Sequence, residues 1–485
     1  MLTRTRIALL CAVAALAVSL PTLRNGFAID DIYVFVEQPA AHSLRNIPQF
    51  FARGWAMGST NAQERALSTR YYRPIPTTLG ALEYTLFGLR PAGYHLTSSL
   101  LHAATALLVA LLLWQLTGGG AIATLLGGIL FAIHPAQSEA FCAACYQTTL
   151  LAGFFGALAL VAFGRVLARG PRLGTLLALG ASLLFALVSK EESFAIPFFV
   201  LAWAVLLRPA GWRRALGQSA IAMGIPLVLV MLLRSAFLAP SKVTYFADEP
   251  LRVVVLTMVR VAGLYLELLV APLRFCPFYD WFIIGYETGL SRGVAMGAVI
   301  LCLAVSAAVV WARRSPLIAL GLAWILLGLA PVSQAIPIIV VAAERFLYIP
   351  MLGWALLVGL LLERGVIRAR AAGWIKLPVV AIALVFVAYT VRTLTRVPDW
   401  RSDETLNLAT AEAFPETPGP LLNLATYYER VEKNPIKALE SLAEADRRAP
   451  GWRPARERAA KLRMGMLHHR GTEAAEPSAF SVPLW

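Results

Sequence analysis

A chain of 485 residues that is 58% hydrophobic and only 15% charged lies far from the roughly one-quarter charge of soluble domains, and its mean hydropathy is +0.67. Its net charge of +15 comes from short basic clusters set between apolar runs, which excludes the single basic face a nucleic-acid partner needs. Backbone groups in lipid must be satisfied within the segment, so repeated apolar runs without period-two alternation mean spanning helices and exclude a β-barrel.

The N-terminal "MLTRTRIALLCAVAALAVSL" fits a signal peptide, but no small-x-small cleavage site follows, and it is read as a retained first span. Further spans are predicted near 95–116, 120–134, 146–164, 173–189, 193–207, 216–235, 293–312, 316–332, 347–363 and 376–395, about eleven with the first at 7–23. The clusters Arg4/Arg6, Arg165/Arg169/Arg172, Arg208/Arg213/Arg214, Arg313/Arg314 and Arg364/Arg368/Arg370/Lys376 then share the cytoplasmic side. This holds only if 251–273 does not cross. That segment carries Arg260 and Glu267, and a mid-bilayer charge costs roughly 2.5–3.5 kcal/mol, so a helix lying in the outer interface, or packed against the bundle, is expected within 236–292.

The outer face then collects the long loop 24–93, "HPAQSEAFCAACY", "SKEES", residues 236–292, "AERFLYIP" and everything after Arg396. The expected domains are a membrane domain over 1–397, a helical domain over 398–466 and a disordered tail over 467–485. From Pro398 the chain becomes soluble in character. "PGPLLNLATYYERVEKNPIKALESLAEADRRAP" reads as two amphipathic helices close to the roughly 34-residue unit of tetratricopeptide repeats, either a groove for a peptide partner or a helical cap. Five cysteines give no disulfide framework, and Cys142-x-x-Cys145 lacks the further ligands of a zinc site; small packing residues or a local disulfide are the readings left.

"NGFAIDDIYVF" sets Asp30 and Asp31 where the first span meets water. Carboxylates near a helix C-terminus oppose its dipole, so a solvated terminus is slightly unfavourable, whereas two neighbouring acids suit a general base. "TRYYRPIP" adds Arg70, Tyr71, Tyr72 and Arg73; "SKEES" adds Lys190, Glu191 and Glu192; "AERFLYIP" adds Glu344, Arg345 and Tyr348. Guanidinium forks grip phosphate, and base plus phosphate clamp at a bilayer edge points to group transfer from a lipid-phosphate donor. His95 and His102, seven apart on one span, are a metal or relay pair on one reading and hydrogen-bonded packing residues on the other; nothing demands a metal, and the need for a divalent ion stays open.

In order, "NGFAIDD", "YYRPIP", "GYHLTSSLLHAATALLV", "LLGGILFAIHPAQSEA", "SKEE", "FYDW" and "AERFLYIPMLG", followed by the tetratricopeptide-like unit, resemble the transmembrane and tetratricopeptide-repeat-containing O-mannosyltransferases and their bacterial relatives, members of the GT-C glycosyltransferases. The resemblance implies an all-α GT-C bundle in a bacterial inner membrane, N-terminus cytoplasmic, with the active site and C-terminal domain outside. It implies a polyprenyl-phosphate sugar as donor, inversion at the anomeric carbon, and a hydroxyl acceptor on protein, glycan or lipid. Asp30 and Asp31 match the acidic pair supplying the base. Arg73 and Arg345 match basic positions near the donor phosphate, and Glu139 and Asp280 match acidic positions on the same cavity. Tyr72, Lys190, Glu191 and Glu344 complete the candidate substrate-binding set. The chain departs from its relatives after "HP...EA": Tyr146, Gln147, Thr148 and Thr149 stand where an Arg and an acid are usual, and Gln137 where a second His is. The runner-up from another class is a non-catalytic scaffold built on the same bundle.

Overall fold

The structure, a computed structural model, describes residues 3–52, 71–237, 245–246, 249–277, 279 and 283–473, the last with side chains to 464. Among the described residues every regular element is helical. The chain divides into two compact units: one built from the residues up to Leu273 and on to Arg401, the other from Arg274–Cys276, Ile283 and the residues from Ser402 onward.

Among the described residues, seven helices of the first unit are long and apolar enough to cross a membrane. The spans expected near 7–23, 95–116, 146–164, 216–235, 293–312 and 376–395 fall on Arg4–Arg24, Pro91–Leu116, Ala144–Arg169, Trp212–Phe237, Arg292–Arg314 and Lys376–Arg401. Near 120–134 the helices Ala121–Ile133 and Pro135–Cys142 are bent by 50°, because Pro135 removes a backbone donor at the junction. The segments at 173–189 and 316–332 are shorter apolar helices, Leu173–Leu187 and Pro316–Val332. The two remaining predicted spans, near 193–207 and 347–363, lie on Ile196–Leu207 and Met351–Ala371. The protein is a helical integral membrane protein. Arg292–Arg314 buries only Val294 and Gly297 against its own chain, and a helix apolar all round with so little internal cover needs lipid.

Leu251–Val270 also satisfies the length and hydropathy of a span. Arg260, whose charge argued against crossing, donates to Glu287 at 2.7 Å, so the mid-bilayer cost estimated for an unpaired charge does not apply as written. This helix packs on Arg292–Arg314, where a Cβ on Gly263 would sit 3.4 Å from Gly297 Cα; small residues permit that approach.

The helices of the first unit pack against one another in a helical core. Arg4–Ser19 lies against Pro91–Leu116 and Ala121–Ile133, and the latter lies against Met351–Ala371. Trp324 stacks on Phe199 at 5.0 Å and donates its indole N–H to the Phe199 carbonyl at 3.1 Å, satisfying the one polar atom the ring carries. The loop read from 24 to 93 is itself partly helical: Ile47–Ala52 is a short helix and Pro74–Phe87 a longer one. Pro74 at its first position fits a helix start, and Pro76, Thr77, Gly80 and Glu83 form its buried side.

In the second unit Asp403–Ala413, Gly419–Arg430, Pro435–Arg448 and Arg453–Glu473 are helices. Ser402 caps the first, accepting from Thr405 N at 3.2 Å, as hydroxyl caps do. Leu424, Ala425, Ala438, Leu442 and Ala445 form its core. The last helix continues to Glu473, past Leu467 where disorder was expected.

Candidate functional site

The acidic pair is held by its neighbours in sequence and by a distant loop. Asn25 is buried and donates to the Val397 carbonyl at 2.9 Å, while Gly26 N donates to the Arg401 carbonyl at 3.0 Å. A Cβ at Gly26 would stand 3.1 Å from that Arg401 oxygen, so the Asn-Gly step of the motif is a tight docking point. Ile29 follows with φ +52°, a left-handed conformation that costs a β-branched residue on the order of 1–3 kcal/mol. Strain of this kind needs fixed surroundings, and it sits immediately before the two aspartates.

The two acids differ. Asp31 is fully buried, and its carboxylate accepts from Cys145 N at 2.7 Å and from Ala28 N at 3.3 Å. Burial outweighs these bonds and pushes its carboxyl up to about 6. Asp30 is half-buried and accepts from the Tyr146 hydroxyl at 3.4 Å.

Tyr146 links the acids to the cations. The Arg345 guanidinium lies over the Tyr146 ring, 4.2 Å from its centroid, a cation–π contact. Arg345 donates its backbone N–H to Glu139 Oε2 at 2.6 Å and its guanidinium to Glu139 Oε1. Glu139 is fully buried and Arg345 nearly so. Burial alone would lower the Arg345 pKa, but Glu139, Tyr146 and Asp30 raise it well above its ordinary value, so this guanidinium is a fixed positive charge. Glu139 sits in the first turn of the short Ser138–Cys142 helix, yet its carboxylate is spent on Arg345. Glu344, the sequence neighbour of Arg345, instead accepts from the Tyr279 hydroxyl at 3.1 Å.

The remaining candidates adjoin this cluster. Lys190 forms an ion pair with Glu192 Oε1 at 2.7 Å, donates to Thr149 Oγ1 at 2.7 Å, and lies 5.3 Å from the Phe346 ring centroid. Burial lowers its pKa, opposed by Glu192. Arg73 donates to Glu191 at 2.5 and 3.0 Å, and Arg234 donates to the other oxygen of the same carboxylate at 2.9 Å. Burial would raise Glu191, but the two guanidiniums hold it near 2. Tyr72 is fully buried with its hydroxyl on the Phe51 carbonyl at 2.9 Å, so it packs the loop and presents no free edge. Asp280 and Arg70 lie outside the described residues.

The structure therefore brings Asp30, Asp31, Glu139, Arg345, Lys190, Arg73 and Glu191 into one run of neighbouring contacts. Sequence reasoning missed Glu83, Gln147 as its partner, and Trp400, whose fully buried ring meets Tyr146 edge to face at 6.4 Å. A lone carboxylate in the apolar "TTLGALEYTLF" was the available signal for Glu83. His95 meets the Gly26 carbonyl at 3.1 Å, and His102 meets the Tyr348 hydroxyl and the Ala132 carbonyl at 3.0 Å each; both are packing residues of the bundle. Cys142 and Cys145 are free thiols. Among the described residues no group of three or more His, Cys, Asp or Glu is arranged to hold a metal ion.

Compared with curated proteins, the chain is 25% identical over 419 residues to the protein O-mannosyl-transferase Tmtc3 of Drosophila melanogaster, covering 70% of this chain and 44% of that protein. It is 25% identical over 470 residues to protein O-mannosyl-transferase TMTC3 of Mus musculus, covering 87% and 48%. Its curated relatives are protein O-mannosyl-transferases. A stretch of 96 residues reaches 38% identity with protein O-mannosyl-transferase tmtc2 of Xenopus laevis, 20% of this chain and 11% of that one. The chain spans less than half the length of these relatives. No family model matches it. Among solved structures, ArnT from Cupriavidus metallidurans bound to undecaprenyl phosphate aligns over 90% of this chain and 76% of its own, at 16% identity and a TM-score of 0.43.

Proposed function

We propose that the protein is an inverting GT-C glycosyltransferase that moves a hexose, mannose first among the candidates, from a polyprenyl-phosphate carrier to a hydroxyl acceptor at the non-cytoplasmic face of the membrane. The observation that carries this is the sharing of Tyr146: its hydroxyl is on Asp30 at 3.4 Å while its ring lies beneath Arg345 at 4.2 Å. A base and a fixed cation thus flank one side chain, which is the arrangement that transfer from a phosphate leaving group requires.

Asp30, the less buried acid, takes the proton of the acceptor hydroxyl. The freed oxygen attacks the anomeric carbon from the side opposite the phosphate, the carbon–oxygen bond to phosphate breaks, and polyprenyl phosphate leaves with the electron pair. Arg345, Lys190 and Arg73 balance the charge gained by that phosphate; Asp31 holds the loop backbone through Ala28 and Cys145. Glu139 keeps Arg345 in place, and Glu191 does so for Arg73. Glu344, held by the Tyr279 hydroxyl, belongs to the wall of the same site. The second unit, with its tetratricopeptide-like helices, offers a surface to the acceptor polypeptide outside the cell.

The test is transfer by the full chain in nanodiscs from labelled polyprenyl-phosphate hexoses to an envelope extract of the source cell, with Asp30→Asn alongside. Transfer abolished in a folded Asp30→Asn variant is expected. A folded wild-type chain that labels nothing from any carrier supports the scaffold instead. Tag accessibility at the C-terminus checks the sidedness; a cytoplasmic tag refutes it.

A further inference from the structure

Three consecutive residues each hold one carboxylate. Cys145 N donates to Asp31 at 2.7 Å, the Tyr146 hydroxyl donates to Asp30 at 3.4 Å, and Gln147 Nε2 donates to Glu83 Oε1 at 2.7 Å. Glu83 is 2% exposed and its Oε2 has no hydrogen-bond partner. The charge acting on it from the surrounding elements is the like-signed Asp31. Burial is the main force on its carboxyl, which is pushed up to about 8 against the pull of Gln147 and Thr97. An acid buried without a cation destabilises a helix that an apolar residue would serve better, so its presence calls for a task.

Gln147 opens the helix Gln147–Arg169 and is bound three ways, to Glu83, to the Tyr94 carbonyl at 3.1 Å and to Ser98 Oγ at 3.3 Å. The residues just before it are Tyr146 and Cys145, so a rotation of the helix start is transmitted to both aspartates. We propose that Glu83 is a positioning residue for the aspartate pair: by gripping Gln147 it fixes Tyr146 and Cys145, which hold Asp30 and Asp31. Its effect on turnover rests on the transferase assignment above; its effect on the geometry of the acids does not.

The experiment compares Glu83→Gln, Glu83→Ala, Gln147→Met and the Glu83→Ala/Gln147→Met double variant of the full chain in nanodiscs. With polyprenyl-phosphate mannose as donor, Glu83→Gln keeps kcat within about threefold, since a carboxamide oxygen can still accept from Gln147. Glu83→Ala and Gln147→Met each lower kcat on the order of tenfold or more with KM for the donor within about twofold, and the double variant is no worse than either. Additive losses, or an unchanged kcat in folded Gln147→Met, overturn the proposal; Gln147→Met carries the test if Glu83→Ala does not fold. Infrared titration of the buried carboxyls reads the same link without turnover. A shift of the Asp31 midpoint by at least about half a pH unit in Gln147→Met supports it, and an unmoved midpoint overturns it. Absence of transfer by the wild type together with a shifted midpoint rejects the transferase assignment and keeps the positioning role.

Discussion

Replacing Glu139 by Gln tests the polar anchor of the site directly. Glu139 is fully buried, and it satisfies both the backbone N–H and the guanidinium of Arg345, a residue only 9% exposed. Removing one partner of a buried ion pair costs about 3–5 kcal/mol, because the other charge stays desolvated. Gln retains one carbonyl acceptor but turns an NH2 toward the second donor. Against this, Arg345 keeps the Tyr146 ring at 4.2 Å, a contact worth on the order of 1–2 kcal/mol when desolvated. The net expectation is a loss of about 1–4 kcal/mol, with the Glu139→Gln/Arg345→Met double variant recovering at least half of it. Unfolding by SDS titration from mixed micelles measures each variant. A Glu139→Gln chain within about 0.5 kcal/mol of wild type, or a double variant less stable than the single, refutes the view that this pair is buried and mutually dependent.

Asp31 gives a pH signature. Its carboxyl lies near 6 in the fold against an ordinary 3.8, so the folded state holds the proton more tightly. Stability is therefore highest below about 4 and falls as pH rises toward 6, by on the order of 3 kcal/mol; Asp31→Asn flattens this slope in a pH series of unfolding midpoints. Glu191 has the opposite sign, being held near 2 against an ordinary 4.5 by Arg73 and Arg234 once burial is overcome. Its contribution is complete above about 4.5 and is lost as pH falls toward 2, and Glu191→Gln removes that acid sensitivity while raising KM for the lipid-linked donor severalfold. Tyr146→Phe keeps the ring beneath Arg345 and removes the hydroxyl from Asp30, so stability stays within about 1 kcal/mol while kcat drops on the order of tenfold; Tyr146→Leu loses both.

The membrane helices were legible because lipid imposes a length and a composition that tolerate few exceptions. Leu251–Val270 was harder to read, because Arg260 in the sequence looks like an unpaired charge and its partner Glu287 lies 27 positions away. The helix Pro74–Phe87 was hidden by "RPIP", whose prolines read as loop although Pro74 begins the helix. At the site, the Asp-Asp pair and the basic positions could be picked out as residue types in the right order. Their pairing could not: Arg345 binds Glu139 across 206 positions in preference to Glu344 beside it, because a 3-10 turn at Glu344–Leu347 sends successive side chains in different directions. Asp30 and Asp31, adjacent in sequence, part company for the same kind of reason. The turn at Ile29 and the π-helical Ile32–Val36 put one acid on backbone N–H groups and the other at the half-buried edge.

The segment from 145 to 149 looked like the weak point of the chain, since "CYQTT" lacks the Arg and acid usual in its relatives. Its geometry argues the reverse. An Arg on this segment would bring its own charge; Tyr146 instead supplies a ring on which the guanidinium of Arg345 rests, and Thr149 supplies an acceptor for Lys190. The cationic groups are thus imported from the loops at Lys190 and Arg345, each paired with its own carboxylate, Glu192 and Glu139. Imported charges of this kind are held by two contacts each, to an acid and to the 145–149 segment, so loss of either contact moves the cation without removing it. On the same segment Cys145, Tyr146 and Gln147 each donate one hydrogen bond to an acid. Acid and cation positions are therefore coupled through a single helix start, and the spacing between Asp30 and Arg345 is set by how firmly that start is held.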